Sequence, residues 1–370
     1  MSQLRITGLD TIPIKVSDRT TWLVIRLTTN DRYTGLGECS LGSAMSLSEL
    51  ATFFDMVHDT SPFDINAFRH AGWSKACAGG LLSATAYSAI EQAMWDVLGK
   101  VKDAPVHALL GGINDRSIPV YANINRRTTH RTPSGFADNA KLACAAGFTS
   151  LKAAPFDGLP LASAGLQNRE WAIDLGIEAM KEMRSTVGSS VSLKVDCHSY
   201  FDYDEAIDVA ERLVVVDLDW YEEPVAISDL ETTKRIREHI PQRLAGGELS
   251  CGVEGFAGLC EQQAVDVVMP DVMHCGGLIE FLRIAQIAKA NGLTVSPHNA
   301  CGPVATAATI QVAACSENIE SLELQWGEVS WRSELVEPHE EFADGVALVT
   351  ETPGLGIHLN EALVEEHRVR

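Results

Sequence analysis

Three carboxylates recur at a fixed interval in this chain. They are Asp196 in SLKVDCH, Glu222 in DWYEEPV and Glu248 in RLAGGEL, each 26 residues from the one before. Each closes a short apolar run of strand character, and a helix-like stretch follows it. One strand, one helix and their loops use about this many residues, since eight such units make a barrel of roughly 250. The phase continues at Asp271, His298 and Glu323, at steps of 23, 27 and 25 residues. Such a chain is expected to fold as a β/α barrel. There, side chains at the C-terminal ends of successive strands converge on one mouth, where catalytic groups sit. Six polar residues in phase with the repeat are poorly explained as solvated surface.

At 370 residues the chain exceeds the roughly 250 at which a single core stops growing, so a barrel plus a second domain is expected. A hydrophobic content of 46% is ample for a packed interior. The formal charge of −21 argues against nucleic acid or an anionic membrane as partner, since both select basic patches. It also means that an anionic substrate would need local positive charge. MSQLRITGLD lacks the basic-then-apolar pattern of a signal peptide, and no run approaches the roughly 18 apolar residues of a membrane span. Nine cysteines without a CxxC pair read as free thiols of a reducing cytoplasm.

Residues 1–117 read as an α+β module. TTWLVIRLTT alternates and is rich in β-branched residues, and DRYTGLGECS follows as a turn and second strand. Ala84 to Leu98 carries apolar residues at helical spacing, with Gly99 as the expected C-cap. Strand–helix alternation occupies 118–328, beginning with SIPVYANIN, which implies a parallel sheet closed into a barrel. The tail, 329–370, falls outside the alternation and is expected to pack on the first module. The Asp157–Arg169 loop follows the strand carrying Lys152 and exceeds the usual 2–6 residues of a βα connection. It reads either as an element of the mouth or as an ordinary surface excursion.

Asp196, Glu222 and Glu248 offer an all-oxygen, trianionic site without Cys or His. Such hard ligands suit Mg²⁺, or Mn²⁺, with waters and substrate oxygens completing the shell. Converging carboxylates repel unless a cation neutralises them. On adjacent barrel strands, Asp271 can accept a hydrogen bond from one nitrogen of His298 and leave the other free as a base. Lys152, in GFTSLKAAPFD, is costly to direct into a mouth unless it meets an anion, though it could also snorkel past the rim. Strand alternation puts Lys194, Asp196 and His198 on one face, so His198 is either a proton donor near the metal or a rim histidine. Glu323 could donate to a substrate oxygen if protonated, or pair with Lys152 across the barrel.

With these residues in place the sequence resembles the enolase superfamily, in its mandelate racemase subgroup. The resemblance covers nearly the whole chain. It rests on AYSAIEQAMWDVLGK, the spaced carboxylates with EEP after the second, the PD…GG segment, SPHNACGP and PGLGIHLNE. It implies a (β/α)₇β TIM-like barrel with an α+β capping domain built from the N-terminal segment and the C-terminal tail. It also implies a first step in which a base removes the proton α to a carboxylate while Mg²⁺ stabilises the enediolate. By position, Asp196, Glu222 and Glu248 match the metal ligands, Asp271 and His298 the His–Asp dyad, and Glu323 the last-strand acid. Homo-oligomerisation is implied by the resemblance alone.

Two positions refine the expectation. Relatives that racemise carry Lys-x-Lys on the second strand, whereas this chain reads Lys152-Ala153-Ala154, so one of two bases is absent. Asp-x-His at 196–198 resembles acid-sugar dehydratases such as galactonate dehydratase, where the histidine protonates a departing hydroxyl. The expected function is therefore Mg²⁺-dependent dehydration of an acid sugar. The alternatives are an epimerase or cycloisomerase of a related carboxylate and, from another class, a non-catalytic binding or structural relative. Segments Val16–Trp22 and Leu41–Ser46 of the first module are expected to close over the mouth and set specificity.

Overall fold

The computed structural model describes residues 4–41, 47–112, 117–159 and 166–369. The first module is an antiparallel sheet of β1 (Ile6–Lys15), β2 (Thr21–Thr29) and β3 (Thr34–Glu38), in that order. The helices α1 (Leu47–Val57), α2 (Ile65–Ala78) and α3 (Gly80–Lys102) follow it, with a short α4 (Val106–Leu109) after them. Helix α3 is buried along most of its length because it lies between this sheet and the larger domain.

The helix α3 differs from expectation at both ends. It begins at Gly80 and runs past Gly99 to Lys102, ending on Asp103 in the left-handed region at φ 53°. Gly99 serves packing instead: a Cβ there would lie 2.6 Å from the Cα of Gly354 in the C-terminal PGLG segment. That segment is held by Asp96 of α3, whose Oδ1 accepts the N–H of Leu355 at 2.8 Å.

The larger domain alternates strand and helix without interruption. It runs β4 (Ser117–Asn123), α5 (Pro133–Ala145), β5 (Ser150–Ala153), α6 (Leu166–Val187), β6 (Ser192–Asp196), α7 (Tyr203–Arg212) and β7 (Trp220–Glu222). It continues with α8 (Leu230–His239), β8 (Arg243–Gly246), α9 (Gly252–Glu261), β9 (Val267–Val268), α10 (Gly277–Ala290), β10 (Thr294–Val295), α11 (Pro303–Ala313) and β11 (Leu322–Gln325). All neighbouring pairs from β4 to β10 are parallel. Closure follows because β11 pairs in parallel with β4, Glu323 opposite Tyr121, and Val295 bridges Ile319 on the other side. The result is the expected (β/α)₇β barrel with an α+β cap.

Beyond β11 the chain forms the short strands β12 (Val336–Glu337), β13 (Phe342–Ala343), β14 (Val346–Leu348) and β15 (His358–Leu359) and a last helix, α12 (Glu361–His367). The chain returns to the first module, where Arg368 bridges Ile14 of β1.

Inside the barrel, Tyr121, Trp220, Ala245, Val267 and Met269 form an apolar plug. Two buried lysines flank the Tyr121 ring, Lys152 with Nζ 5.8 Å and Lys194 with Nζ 5.3 Å from its centroid. Lys194 turns toward Asp219, at 2.7 Å. Lys152 turns toward the strand-end carboxylates. Among the described residues, no helix is long and apolar enough to cross a membrane.

Candidate active site

Asp196 and Glu222 are the last residues of β6 and β7 and face each other in the ladder register. Glu248 lies two residues beyond β8, reached through Gly247 at φ 112°. That backbone conformation suits glycine because it lacks a Cβ. One oxygen from each of the three carboxylates lies within 4.8 Å of the others. Glu222 is fully buried, with Oε2 accepting the indole N–H of Trp220 at 2.9 Å and Oε1 accepting from Lys152 at 2.7 Å. Burial, then Asp196, pushes the Glu222 carboxyl well above the ordinary range, against the pull of Lys152. Glu248 Oε2 is buried without a hydrogen-bond partner. An inward carboxylate oxygen without a hydrogen bond, met only by His298 Nε2 at 3.4 Å and set beside two other carboxylates, is what a hard divalent cation satisfies, so these residues fit a metal.

Lys152 is fully buried and meets three carboxylates: Glu222 at 2.7 Å, Glu323 at 2.9 Å and Asp196 at 3.2 Å. Burial alone would lower its pKa, but Glu222 and Glu323 raise it well above the ordinary value. Glu323 forms an ion pair with Lys152. The same carboxylate accepts from Asn123 Nδ2 at 2.6 Å and from the Asn299 N–H at 3.0 Å. Burial opposes its ionisation, yet Lys152 and His298 hold it down at about 2.

The two histidines are each seated on a carboxylate. His298 Nδ1 lies 2.7 Å from Asp271 Oδ2, with Nε2 3.4 Å from Glu248 and 3.9 Å from Glu323. Burial disfavours its charge, but Glu248, Glu323 and Asp271 together push its pKa up to about 10. His198 Nδ1 lies 2.5 Å from Asp157 Oδ1, and its Nε2 is 3.2 Å from Asp196 Oδ2. Asp196 is the main cause of its elevation to about 11. His198 and Ser199 both adopt left-handed φ, 43° and 59°. The N–H of His198 donates to Asp196 Oδ1 at 3.0 Å, so the turn folds back onto the carboxylate. Sparsely populated backbone of this kind concentrates at functional sites.

These groups open into a cavity of about 650 Å³, within the 300–1,000 Å³ range of small-molecule sites. Lys152, Asp196, His198, Glu248, His298 and Glu323 all line it. From the cap, Ser17, Arg19, Thr20, Ser40 and Leu41 reach the same space, so both expected cap segments contribute. Residues 42–46 of the second segment lie outside the described residues, as do 160–165 of the Asp157–Arg169 loop. That loop begins at the mouth, because Asp157 lines the cavity.

Several residues at the site were not singled out from sequence. Asp157 was read only as the start of a loop, although it is the partner of His198. Asn123 ends β4 in phase with the other strand-end residues, a signal that could have found it. His274, four residues before Leu278, lines the cavity and accepts or donates a hydrogen bond with Thr85 Oγ1 of the cap at 2.9 Å. Burial lowers its pKa. Arg126 and Arg131 of the β4–α5 loop also line the cavity, and no motif distinguishes them from other loop arginines.

A closed β/α barrel under an α+β cap, with an acidic cluster at its strand ends, is the class that this fold and site define. Residues 135–363 match the family described as enolase C-terminal domain-like, and residues 7–111 match the mandelate racemase/muconate lactonizing enzyme N-terminal domain. The chain belongs to the enolase superfamily, among the mandelate racemase/muconate lactonizing enzymes. It is similar to the D-gluconate dehydratase of Thermoproteus tenax, at 29% identity over 94% of this chain and 69% of that one. Similarity to the D-galactonate dehydratase of Ralstonia pickettii is 28% over 93% and 90% of the two chains. Among solved structures, a mandelate racemase/muconate lactonizing enzyme from Jannaschia sp. CCS1 superposes with a TM-score of 0.89. It is 27% identical and covers 99% of this chain and 98% of its own. Another from Sulfitobacter sp. gives 0.90 at 26% identity, over 99% and 96%.

Proposed function

We propose that this protein is an Mg²⁺-dependent dehydratase of an acid sugar. The observation that carries the reading is a pair of histidines serving one cavity, each oriented by its own carboxylate: His298 on Asp271 and His198 on Asp157. Elimination of water needs one group to remove a proton and another to deliver one. Relatives named as dehydratases of D-gluconate, D-xylonate and D-galactonate support the same class.

Asp196, Glu222 and Glu248 would hold the metal, whose positive charge beside the substrate carboxylate acidifies the α-proton and offsets the field that keeps His298 protonated. In this reading His298 Nε2 takes the α-proton, with Asp271 fixing the tautomer through Nδ1. His198 Nε2 gives a proton to the β-hydroxyl, which leaves as water while the α-carbon electron pair forms the C=C bond. The resulting enol tautomerises to a 2-keto-3-deoxy acid. Lys152 balances the inner carboxylates rather than acting as a second base, since three anions hold its proton, and Ala154 occupies the position of the missing lysine. The same reading keeps the protein in the cytoplasm, where its nine free thiols stay reduced.

The test is a mass and NMR screen of acid sugars with Mg²⁺ in D₂O. A 2-keto-3-deoxy product is expected. Deuterium at the α-carbon without loss of water would replace the reading with an epimerase or cycloisomerase. Absence of both in a metal-loaded protein would remove the catalytic reading altogether.

A further inference from the structure

The chain holds 50 acidic against 29 basic residues, yet three guanidiniums line the cavity together with Asp18, Asp157 and Glu328: Arg19 from the cap turn between β1 and β2, and Arg126 and Arg131 from the β4–α5 loop. Arg126 is accounted for. Its Nη1 lies 3.3 Å from Glu328 Oε2, and the other oxygen of Glu328 accepts the Ser17 hydroxyl at 3.2 Å, which ties the cap turn to the barrel.

Arg131 is held in place but poorly neutralised. It donates to Asn125 Oδ1 at 2.9 Å and to the Ala154 carbonyl, and its guanidinium lies 5.1 Å from the Phe136 ring. The carboxylate near it, Asp157 at 3.6 Å, is already engaged by His198 and by Asn125 Nδ2 at 2.8 Å. Burial lowers the Arg131 pKa; Asp157 opposes this, and the charge of Arg19 adds to the lowering. Arg19 itself has no ion-pair partner among the described residues, although it faces the cavity. Two guanidiniums brought to one cavity from different domains are stabilised by an anion placed between them.

The carboxylate beside the reacting carbon would be met by the metal that Asp196, Glu222 and Glu248 would hold, which leaves the guanidiniums of Arg19 and Arg131 to another group. We propose that Arg19 and Arg131 form a subsite for a second anionic group, so that the acid sugar is a dianion with a carboxylate or phosphate besides the carboxylate at the reacting carbon. This rests on the acid-sugar reading above and departs from the compounds in the relatives' names, D-gluconate, D-xylonate and D-galactonate, which each carry one carboxylate. Arg19 comes from the cap, so the cap would sense that second group directly.

Calorimetry with Mg²⁺-loaded His298→Asn protein measures binding without turnover. The probes are galactarate, with two carboxylates, 6-phosphogluconate, with a carboxylate and a phosphate, and galactonate, with one carboxylate. One dianion is expected to bind about ten- to a hundredfold more tightly than galactonate, and which one does so identifies the second group. Adding Arg19→Gln or Arg131→Met should reduce that preference to within about threefold. Galactonate binding as tightly as both dianions, a preference surviving both substitutions, or no binding of either dianion would each overturn the inference. Should Arg131→Met fail to fold, Arg19→Gln still decides, because that side chain is exposed. The functional reading fails separately: wild-type protein would bind the dianion through Arg19 yet release no water from it.

Discussion

Glu38, the last residue of β3, accepts the backbone N–H of Gly302 at 2.6 Å and places its other oxygen 2.9 Å from the N–H of Ala305. A carboxylate from the cap thus sits on the N-terminus of barrel helix α11, immediately after the SPHNACGP segment that carries His298. Unpaired N–H groups at a helix start favour an anion. The Ser40 hydroxyl donates to the same carboxylate at 2.6 Å. The cap is therefore fastened to the loop that presents His298.

Glu38→Ala leaves those buried donors unsatisfied. A loss of about 2–4 kcal/mol in unfolding free energy is expected, measurable by urea denaturation. A variant as stable as wild type would show that the contact carries no net energy.

Glu91 repeats the arrangement from α3, accepting the N–H of Leu278 at 2.8 Å and of Ile279 at 3.3 Å on α10 and the indole of Trp95 at 2.9 Å. Burial nevertheless pushes its carboxyl up to about 7. A carboxyl raised in the folded state keeps a proton that the unfolded chain has released. Its contribution is complete below about 4.5 and is lost as pH rises through about 7. Relative to Glu91→Gln, wild-type stability should fall by about 3 kcal/mol across that window. Parallel pH profiles in urea melts would refute this.

Lys152 is the fixed cation among three carboxylates, Asp196, Glu222 and Glu323. Removing it as Lys152→Met should cost about 3–5 kcal/mol without divalent metal, because buried anions are left unpaired. Binding of Mg²⁺ should then stabilise the variant more than wild type. Equal metal-induced shifts in thermal melting would count against Lys152 as the counter-charge.

His298→Asn should retain Mg²⁺ binding by calorimetry and lose α-proton exchange by about 10²–10⁴. Asp271→Asn should lose less, about 10–100-fold, as an orienting partner does. Exchange that persists in His298→Asn would remove this histidine as the base.

His198→Asn should slow loss of water more than it slows deuterium incorporation at the α-carbon, which separates acid from base. Asp157→Asn, by freeing the imidazole at Nδ1, should reproduce the defect in weaker form. Equal losses in both steps would contradict a division of labour between the two histidines.

The barrel was legible because its repeat is a local quantity. A strand, a helix and their turns have nearly fixed lengths, so polar residues at strand ends recur at a regular step and declare both the fold and their common end. This is how Asp196, Glu222, Glu248, Asp271, His298 and Glu323 could be grouped from order alone. Gly99 shows the opposite case. Its place at the end of an apolar run reads as a cap, whereas its role is close approach to Gly354, more than 250 residues away. The amino-acid order by itself thus determined the period and which polar residues stand at the strand ends. Only tertiary structure decided which groups pair: Lys152 with three carboxylates, His198 with Asp157, and Glu38 with Gly302. Those pairings join segments far apart in the chain, and side-chain reach across a closed barrel has no periodic signature.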